Sequence, residues 1–254
     1  MRNFFLASYL ALKEVFRYRG RFLLFSLVIA LITLLVLFIA ALGEGLANGN
    51  RQYLANLDAQ LMVFLEKSDF IIPSSRLETN TARTVRRVDG VQDAGPIYTS
   101  NTEIVSLAEP LKVSLLGVEP DEPGMPAIIA GREFRGGEAR ETVIDRNVAL
   151  RSGIKVGDEI EVRSTQGTED EFYKLKVVGL VSGQSYGFQP TIFVPPSTWE
   201  KVRPQSEADL KSDTPYPTII AVKLADPSQA RVVEETRFWA SDFVNAWIAP
   251  FVAE

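Results

Sequence analysis

One segment of the sequence has the spacing of a catalytic motif. Residues 183–187 (GQSYG) match the G-x-S-x-G nucleophile elbow, with Ser185 at the nucleophile position, and they follow a predicted strand. An elbow opens a helix, whereas residues 188–196 (FQPTIFVPP) contain prolines and a predicted strand. The chain also has no histidine to act as the general base. A Ser/Lys pairing is compatible with the composition, but the segment is better interpreted as a Gly- and Ser-rich loop.

The composition excludes most other side-chain chemistry. The chain of 254 residues has no Cys and no His, so Cys/His catalysis, disulfides, and zinc, haem or iron-sulfur centres built on those residues are excluded. No phosphate-binding G-x-x-x-x-G-K-[ST] loop occurs. We therefore predict no catalytic residue, no cofactor and no nucleotide hydrolysis in this chain.

A group of acidic residues is the remaining candidate for chemistry. Its spacing does not match a calcium-binding loop, and the alternation of Glu159 and Glu161 is typical of the solvent face of a half-buried strand. We therefore predict no metal site among Glu141, Asp145, Asp158, Glu159 and Glu161.

Charge divides the chain into two parts. Residues 1–42 carry five bases and one acid, a net charge of +4, whereas residues 43–254 carry 22 bases and 31 acids, a net charge of −9. Because the acidic part repels phosphate, nucleic acid is not a predicted partner.

An apolar segment follows the basic N-terminus. Residues 22–42 are interrupted only by Ser26 and Thr33, and 21 helical residues at about 1.5 Å each span the roughly 30 Å of a bilayer core. A cleaved signal peptide has a shorter apolar region, so we predict a transmembrane helix. Bases that precede a span remain in the cytoplasm, which places residues 43–254 outside. The bases concerned are Lys13, Arg17, Arg19 and Arg21.

The segments that flank the span have patterns of their own. Residues 1–21 form an amphipathic cytoplasmic segment, either a helix in the membrane interface with Lys13 and Arg17 near lipid phosphates or an extension of the membrane helix. Residues 43–62 are predicted to form a stalk with approximately helical spacing, loosened at residues 48–50.

Residues 63–240 are predicted to fold as an α+β domain, because strand and helix patterns interleave throughout. We expect two lobes of mixed α/β structure divided near residues 119–130. The predicted strands cover residues 60–65, 91–105, 111–118, 141–145, 159–163, 172–181, 191–194 and 218–224, and the predicted helices cover residues 77–88, 147–152 and 227–239.

Aromatic residues recur near the C-terminus at intervals of four. This spacing predicts one face of a helix, which suits either a membrane interface or a packed core. Under the first interpretation residues 241–254 approach a second span. The residues concerned are Trp239, Phe243, Trp247 and Phe251.

Three strings resemble the extracytoplasmic core domain of the MacB/FtsX class of ABC transporter permeases: residues 131–164, 173–183 and 191–199. That class has a recurring pattern of G-R-x-f, E-x-v-i, a short helix, G-x-x-v-G-D-x-i-x-v and a strand with v-v-G. It falls here on Gly131, Arg132, Phe134, Glu141, Val143, Ile144, Gly153, Val156, Gly157, Asp158, Ile160, Val162, Val177, Val178 and Gly179. Residues 54–64 (LANLDAQLMVF) are similar to DevC-like exporter permeases.

The resemblance implies a non-enzymatic permease subunit in the inner (plasma) membrane, coupled to an ABC ATPase on a separate cytoplasmic subunit. It further implies contact with membrane lipid, a homodimer and a periplasmic adaptor protein. No catalytic position is implied, and Gly131, Arg132, Glu141, Gly153, Gly157, Asp158 and Gly179 are interpreted as fold markers. Permeases of this class have three further membrane helices, so we interpret the sequence as the front part of a longer chain. The alternative is a single-pass, membrane-anchored binding or adaptor module without an ATPase partner.

Overall fold

The fold was analysed in a computed structural model. It describes residues 13, 16–55, 57–65, 72–137, 139–182, 189–205, 215–230 and 246–250. The chain divides into two compact units, Met1–Asn48 and Gly49–Glu254.

The apolar segment lies within one long helix. Helix α1 spans Arg19–Ala55, a length of 37 residues. Its part from Arg19 to Gly43 is long and apolar enough to cross a membrane and has none of its residues buried, and it is the one such helix in the part of the chain that the structure describes. The backbone stays helical through residues 43–55, including the Asn48 to Asn50 cluster where a loosening was expected.

The second unit contains ten strands and three short α-helices within the described ranges. The strands are β1 (Leu61–Leu65), β2 (Val91–Ile104), β3 (Leu111–Val118), β4 (Ile128–Gly131), β5 (Glu141–Asp145), β6 (Glu159–Gln166), β7 (Glu169–Val181), β8 (Thr191–Val194), β9 (Ile219–Leu224) and β10 (Ala246–Pro250). The helices are α2 (Thr81–Val85), α3 (Arg146–Ser152) and α4 (Pro196–Val202), with 3₁₀ turns at Ile72–Ser74 and Pro227–Gln229.

All ten strands belong to one sheet. Its order is β10-β1-β9-β2-β3-β8-β5-β7-β4, and β6 pairs with β2 and β7 beside this path. The pairs β3–β8 and β5–β7 are parallel, and the other strand pairs are antiparallel. Strands from before and after residues 119–130 are direct neighbours, as in the β3–β8 pair, so the expected boundary between two lobes does not divide the sheet.

The central strands are buried on both faces of the sheet. Val143 of β5 faces Phe193 of β8 in one core cluster, whereas the next residues, Ile144 and Ile192, lie in a second cluster. Successive strand residues point to opposite faces, so both sides of this pair are covered. Burial on both faces explains why the sequences of β8 and β9 are mainly apolar, while β6 alternates apolar and charged residues.

One helix prediction needs correction, and one helix was missed. The helix predicted at residues 77–88 is shorter, because only Thr81–Val85 is helical and tight turns follow it. Helix α4 was not predicted, because the double proline before it indicated only the end of a strand. Pro196 instead occupies the first helical turn, where a missing N–H group costs no hydrogen bond.

The C-terminal prediction is wrong over the residues that the structure describes there. Ala246–Pro250 is a strand that pairs antiparallel with β1, so the helix face expected to contain Trp247 is absent at that position. An interval of four residues places side chains on one face of a strand as well as of a helix, so the spacing could not separate the two. Trp239, Phe243 and Phe251 lie outside the described residues.

Helix α4 packs tightly onto β3 through a glycine. A Cβ atom added at Gly117 would lie 2.7 Å from Cβ of Trp199, which is closer than packed carbon atoms approach. We expect Gly117→Ala to lower the free energy of unfolding by about 1–3 kcal/mol, the usual cost of overpacking. The measurement is the urea midpoint of the full chain in detergent micelles, followed by tryptophan fluorescence.

Gly136→Ala is the matched control, since its added Cβ would meet only Pro120 Cγ at 3.5 Å, an ordinary contact. Equal midpoints for both variants would contradict the packing of α4 described here.

Candidate functional site

The glycines of the family-like pattern permit close contact between β4 and β7. Gly131 pairs with Gly179 across these strands. A Cβ atom at Gly179 would lie 2.3 Å from the carbonyl oxygen of Arg132. Gly131 has a φ of +80°, a conformation that L residues with side chains rarely adopt. Both positions therefore need glycine for the backbones to approach.

A half-buried carboxylate joins this edge to β5. The guanidinium of Arg132 donates two hydrogen bonds to the carboxylate of Glu141, at 2.9 and 2.5 Å, and the backbone N–H of Arg135 donates a third at 3.0 Å. The hydrogen bonds from Arg132 are the main reason that the pKa of Glu141 falls from 4.5 to about 2. The backbone N–H of Arg132 also donates to the carbonyl of Val178 at 2.9 Å, which fixes the pair against β7.

The remaining pattern residues form the turn between α3 and β6. Gly153 ends α3 with a φ of +75°, and its N–H donates to Ala149 O at 2.9 Å. Gly157, with a φ of +106°, donates to Val177 O at 2.8 Å. The carboxylate of Asp158 accepts a hydrogen bond from the N–H of Lys155 at 2.8 Å. Six of the seven predicted marker residues thus lie beside or on β7, and Gly153 ends the helix that precedes this region.

The predicted membrane-interface residues are only partly described. Arg17, Arg19 and Arg21 are exposed next to the apolar part of α1, and the Arg17 guanidinium lies 5.9 Å from the centre of the Tyr18 ring. Lys13 is also exposed. Trp247 lies on β10 opposite Phe64, and Trp239 lies outside the described residues.

The catalytic candidates of the sequence gain no support from geometry. Ser185 and the rest of residues 183–187 lie outside the described residues. Among the residues that the structure describes, no group of three acidic side chains is placed to hold a metal ion. The acidic residues considered above instead have separate surroundings, with Glu141 held by Arg132 and Glu159 lying 3.6 Å from the ammonium of Lys174.

Two polar clefts were not anticipated from the sequence. The first, here called the three-strand cleft, lies on β2, β3 and β6 and encloses about 340 Å³. Its walls are polar and carry charges of both signs. The lining residues are Asn101, Thr102, Glu103, Lys112, Arg163, Thr165, Gln189 and Pro204.

The second, here called the hairpin cleft, lies between the β6–β7 turn and α4 and encloses about 560 Å³. Its walls include Glu169, Glu171 and Glu200 beside Lys201. Burial, followed by the hydrogen bond to Glu171, raises the pKa of Tyr173 to about 12, so its hydroxyl remains a donor. Neither cleft has a linear sequence signature, because each combines residues from separate strands.

The fold defines a class of protein with one N-terminal apolar helix followed by a mixed α/β domain. A family model described as the MacB-like periplasmic core domain matches residues 22–237, and the chain belongs to this family. The family match confirms the resemblance to MacB/FtsX-type permeases and the predicted fold class.

Among curated proteins, the chain is 21% identical over 196 residues to a Staphylococcus haemolyticus protein that bears the name "Putative hemin transport system permease protein HrtB". The match covers 77% of this chain and 52% of that protein, so the chain spans about half the length of this relative.

Two solved structures are also similar. The periplasmic region of MacB from Actinobacillus actinomycetemcomitans has a TM-score of 0.53 at 15% identity, covering 77% of this chain and 91% of that one. The extracellular domain of the transporter YknZ from Gram-positive bacteria has a TM-score of 0.47 at 14% identity, covering 69% and 88%. At these identities the likeness to MacB shows the fold alone.

The Arg132–Glu141 pair should make stability depend on pH. Folding lowers the pKa of Glu141, so its ionised carboxylate stabilises the folded state. This stabilisation is fully present above the ordinary carboxyl pKa and is lost as pH falls from about 4.5 towards 2. We expect Glu141→Gln to lower the urea midpoint at pH 7, and the difference from the unsubstituted chain to close across that window.

Glu109→Gln provides the control, since Glu109 is exposed and has no ion pair among the described residues. A gap between Glu141→Gln and the unsubstituted chain that stays constant down to pH 2 would show that Glu141 does not carry the effect.

Proposed function

We propose that this chain is the permease subunit of an ABC-type exporter or mechanotransmission complex. In this role it couples ATP hydrolysis by a separate cytoplasmic ATPase to movements of its extracytoplasmic domain. The observation that carries the proposal is the continuity of α1, which contains the apolar segment and remains helical to Ala55, in a chain of the MacB-like family. An unbroken hydrogen-bonded helix resists bending, so a displacement at one end is transmitted to the other.

The partners of this proposed role follow from charge and from the missing nucleotide site. The chain has no phosphate-binding loop, so ATP binding falls to another subunit. The exposed bases Arg17, Arg19 and Arg21 favour anionic lipid headgroups at the cytoplasmic surface, at about 1 kcal/mol for each base near the membrane. A homodimer and a periplasmic adaptor complete the proposed assembly, and residues 241–254 are proposed to lie near the membrane.

The membrane topology can be tested by cysteine labelling, because the chain has no cysteine of its own. We expect a membrane-impermeant maleimide to label Glu109→Cys in intact cells, since Glu109 lies on the exposed turn between β2 and β3. Tyr18→Cys, on the other side of the apolar segment, should be labelled only after the membrane is opened.

The unsubstituted chain gives the background of this assay. Labelling of Tyr18→Cys in intact cells would reverse the proposed orientation.

Coupling through α1 can be tested with a helix-breaking substitution. Proline inside a helix removes one backbone hydrogen bond and costs about 3 kcal/mol, so we expect Ala47→Pro to interrupt transmission. The measurement uses a spin label at Glu109→Cys in membranes that contain the co-purified ATPase. ATP should change the label's mobility in the parent chain, and this change should fall at least about fivefold in Ala47→Pro.

Ala47→Ser is the matched control, because serine preserves the helical hydrogen bond and should keep the response. A chain that never co-purifies with an ABC ATPase under gentle solubilisation would contradict the proposal and favour the anchored adaptor.

A further inference from the structure

A row of alternating charges crosses three neighbouring strands at the three-strand cleft. Glu103 of β2 is opposite Lys112 of β3 on one side and Arg163 of β6 on the other. Residues in register across a sheet share a face, so the ammonium, carboxylate and guanidinium stand side by side. Asn101 and Thr165 are two residues further along β2 and β6 and extend the same polar face.

The two basic side chains in this row differ in their ion pairs. The Arg163 guanidinium donates to one oxygen of Glu103 at 2.5 Å and lies 3.8 Å from the carboxylate of Asp170. Lys112 is exposed and has no ion pair within the described ranges. Arg163 is therefore committed to the protein's own carboxylates, whereas the ammonium of Lys112 is free to bind an added anion.

An orphaned acceptor lines the same cleft. The side-chain oxygen of Gln189 is buried and accepts no hydrogen bond from the residues that the structure describes. A buried acceptor without a donor loses its hydrogen bond to water, and a bound molecule with an N–H or O–H group would restore one. The second oxygen of Glu103 likewise has no donor among the described side chains, so the cleft offers two acceptors beside one free cation.

We propose that the three-strand cleft binds the carboxyl-terminal end of a peptide. Its carboxylate pairs with the ammonium of Lys112, and its backbone N–H groups donate to Glu103 and Gln189. The amide side chains of Asn101 and Gln189 match peptide groups, because each amide can donate and accept. A volume of about 340 Å³ is sufficient for a few residues of chain. A phosphate fits less well, because Arg163, the side chain suited to bidentate phosphate contact, is already paired.

The test is isothermal titration calorimetry of the full chain in detergent micelles with the tripeptide Gly-Gly-Gly. We expect binding that weakens at least about tenfold with the C-terminal amide of the same peptide, because one charge-assisted hydrogen bond is lost. Lys112→Gln should cause a similar loss. Lys155→Gln is the matched control, since Lys155 is also exposed but does not line the cleft, and it should bind as the unsubstituted chain does.

The outcomes separate the proposal from its competitors. No binding of Gly-Gly-Gly, equal binding of its amide, or unchanged affinity in Lys112→Gln would overturn it, as would stronger binding of inorganic phosphate at the same site. The unfolding midpoint of Lys112→Gln should equal that of the unsubstituted chain, so a loss of binding cannot be attributed to misfolding.

A second experiment asks whether the bound carboxyl terminus belongs to a whole protein or to a short peptide. A small folded protein that carries a Gly-Gly-Gly tail should compete with the tripeptide if the cleft accepts the ends of whole proteins. Binding of the free tripeptide alone restricts the ligand to short peptides. No ATPase is present in the titration. A failure to bind the peptide would therefore not contradict the proposed permease role, which the labelling and helix-breaking experiments test separately.

Discussion

Burial of the central strands on both faces is the constraint on which the rest of the domain depends. Strand β8 lies between β3 and β5, and its side chains enter two different core clusters on opposite sides of the sheet. A strand in that position has no face left for polar chemistry, because a buried polar group without a partner is costly. Exposed polar side chains of the sheet therefore lie away from this central strand, and several of them are on β6, which lies beside the main path. Both clefts include residues of β6 for this reason.

The parts of the fold that the sequence predicted well are those where burial and turn chemistry agree. Strands β3, β5 and β8 have the predicted bounds, because each has buried aliphatic residues at its centre, and a proline closely follows β3 and β8. The hairpin of β6 and β7 was placed correctly, but pairing continues to Gln166 and Glu169, so its loop is shorter than expected. Three consecutive acidic residues, Glu169, Asp170 and Glu171, lie in β7, so polarity alone does not indicate a loop.

The three-strand cleft could not be predicted from the sequence, because it depends on the register in which the strands pair. The charge row of Lys112, Glu103 and Arg163 joins three strands that are distant in sequence, and a shift of one residue in either pairing would move a member to the other face. The family pattern falls elsewhere, around β7, where glycines and the Arg132–Glu141 pair hold neighbouring segments at close range. We therefore interpret the residues of the family-like pattern as ones that maintain the shape of the domain. The residues proposed to bind a ligand lie outside that pattern and required the three-dimensional structure to be found.

The pairing of β10 with β1 has a mechanical consequence. Leu61, at the start of β1, is opposite Pro250, at the end of β10, so the chain enters and leaves this part of the sheet side by side. A force that pulls Leu61 and Pro250 apart would break the hydrogen bonds between β1 and β10 one after another, starting at this pair. Such a geometry yields at lower force than one that shears all bonds at once. The junction of β1 and β10 would therefore open before the doubly buried strands of the centre deform.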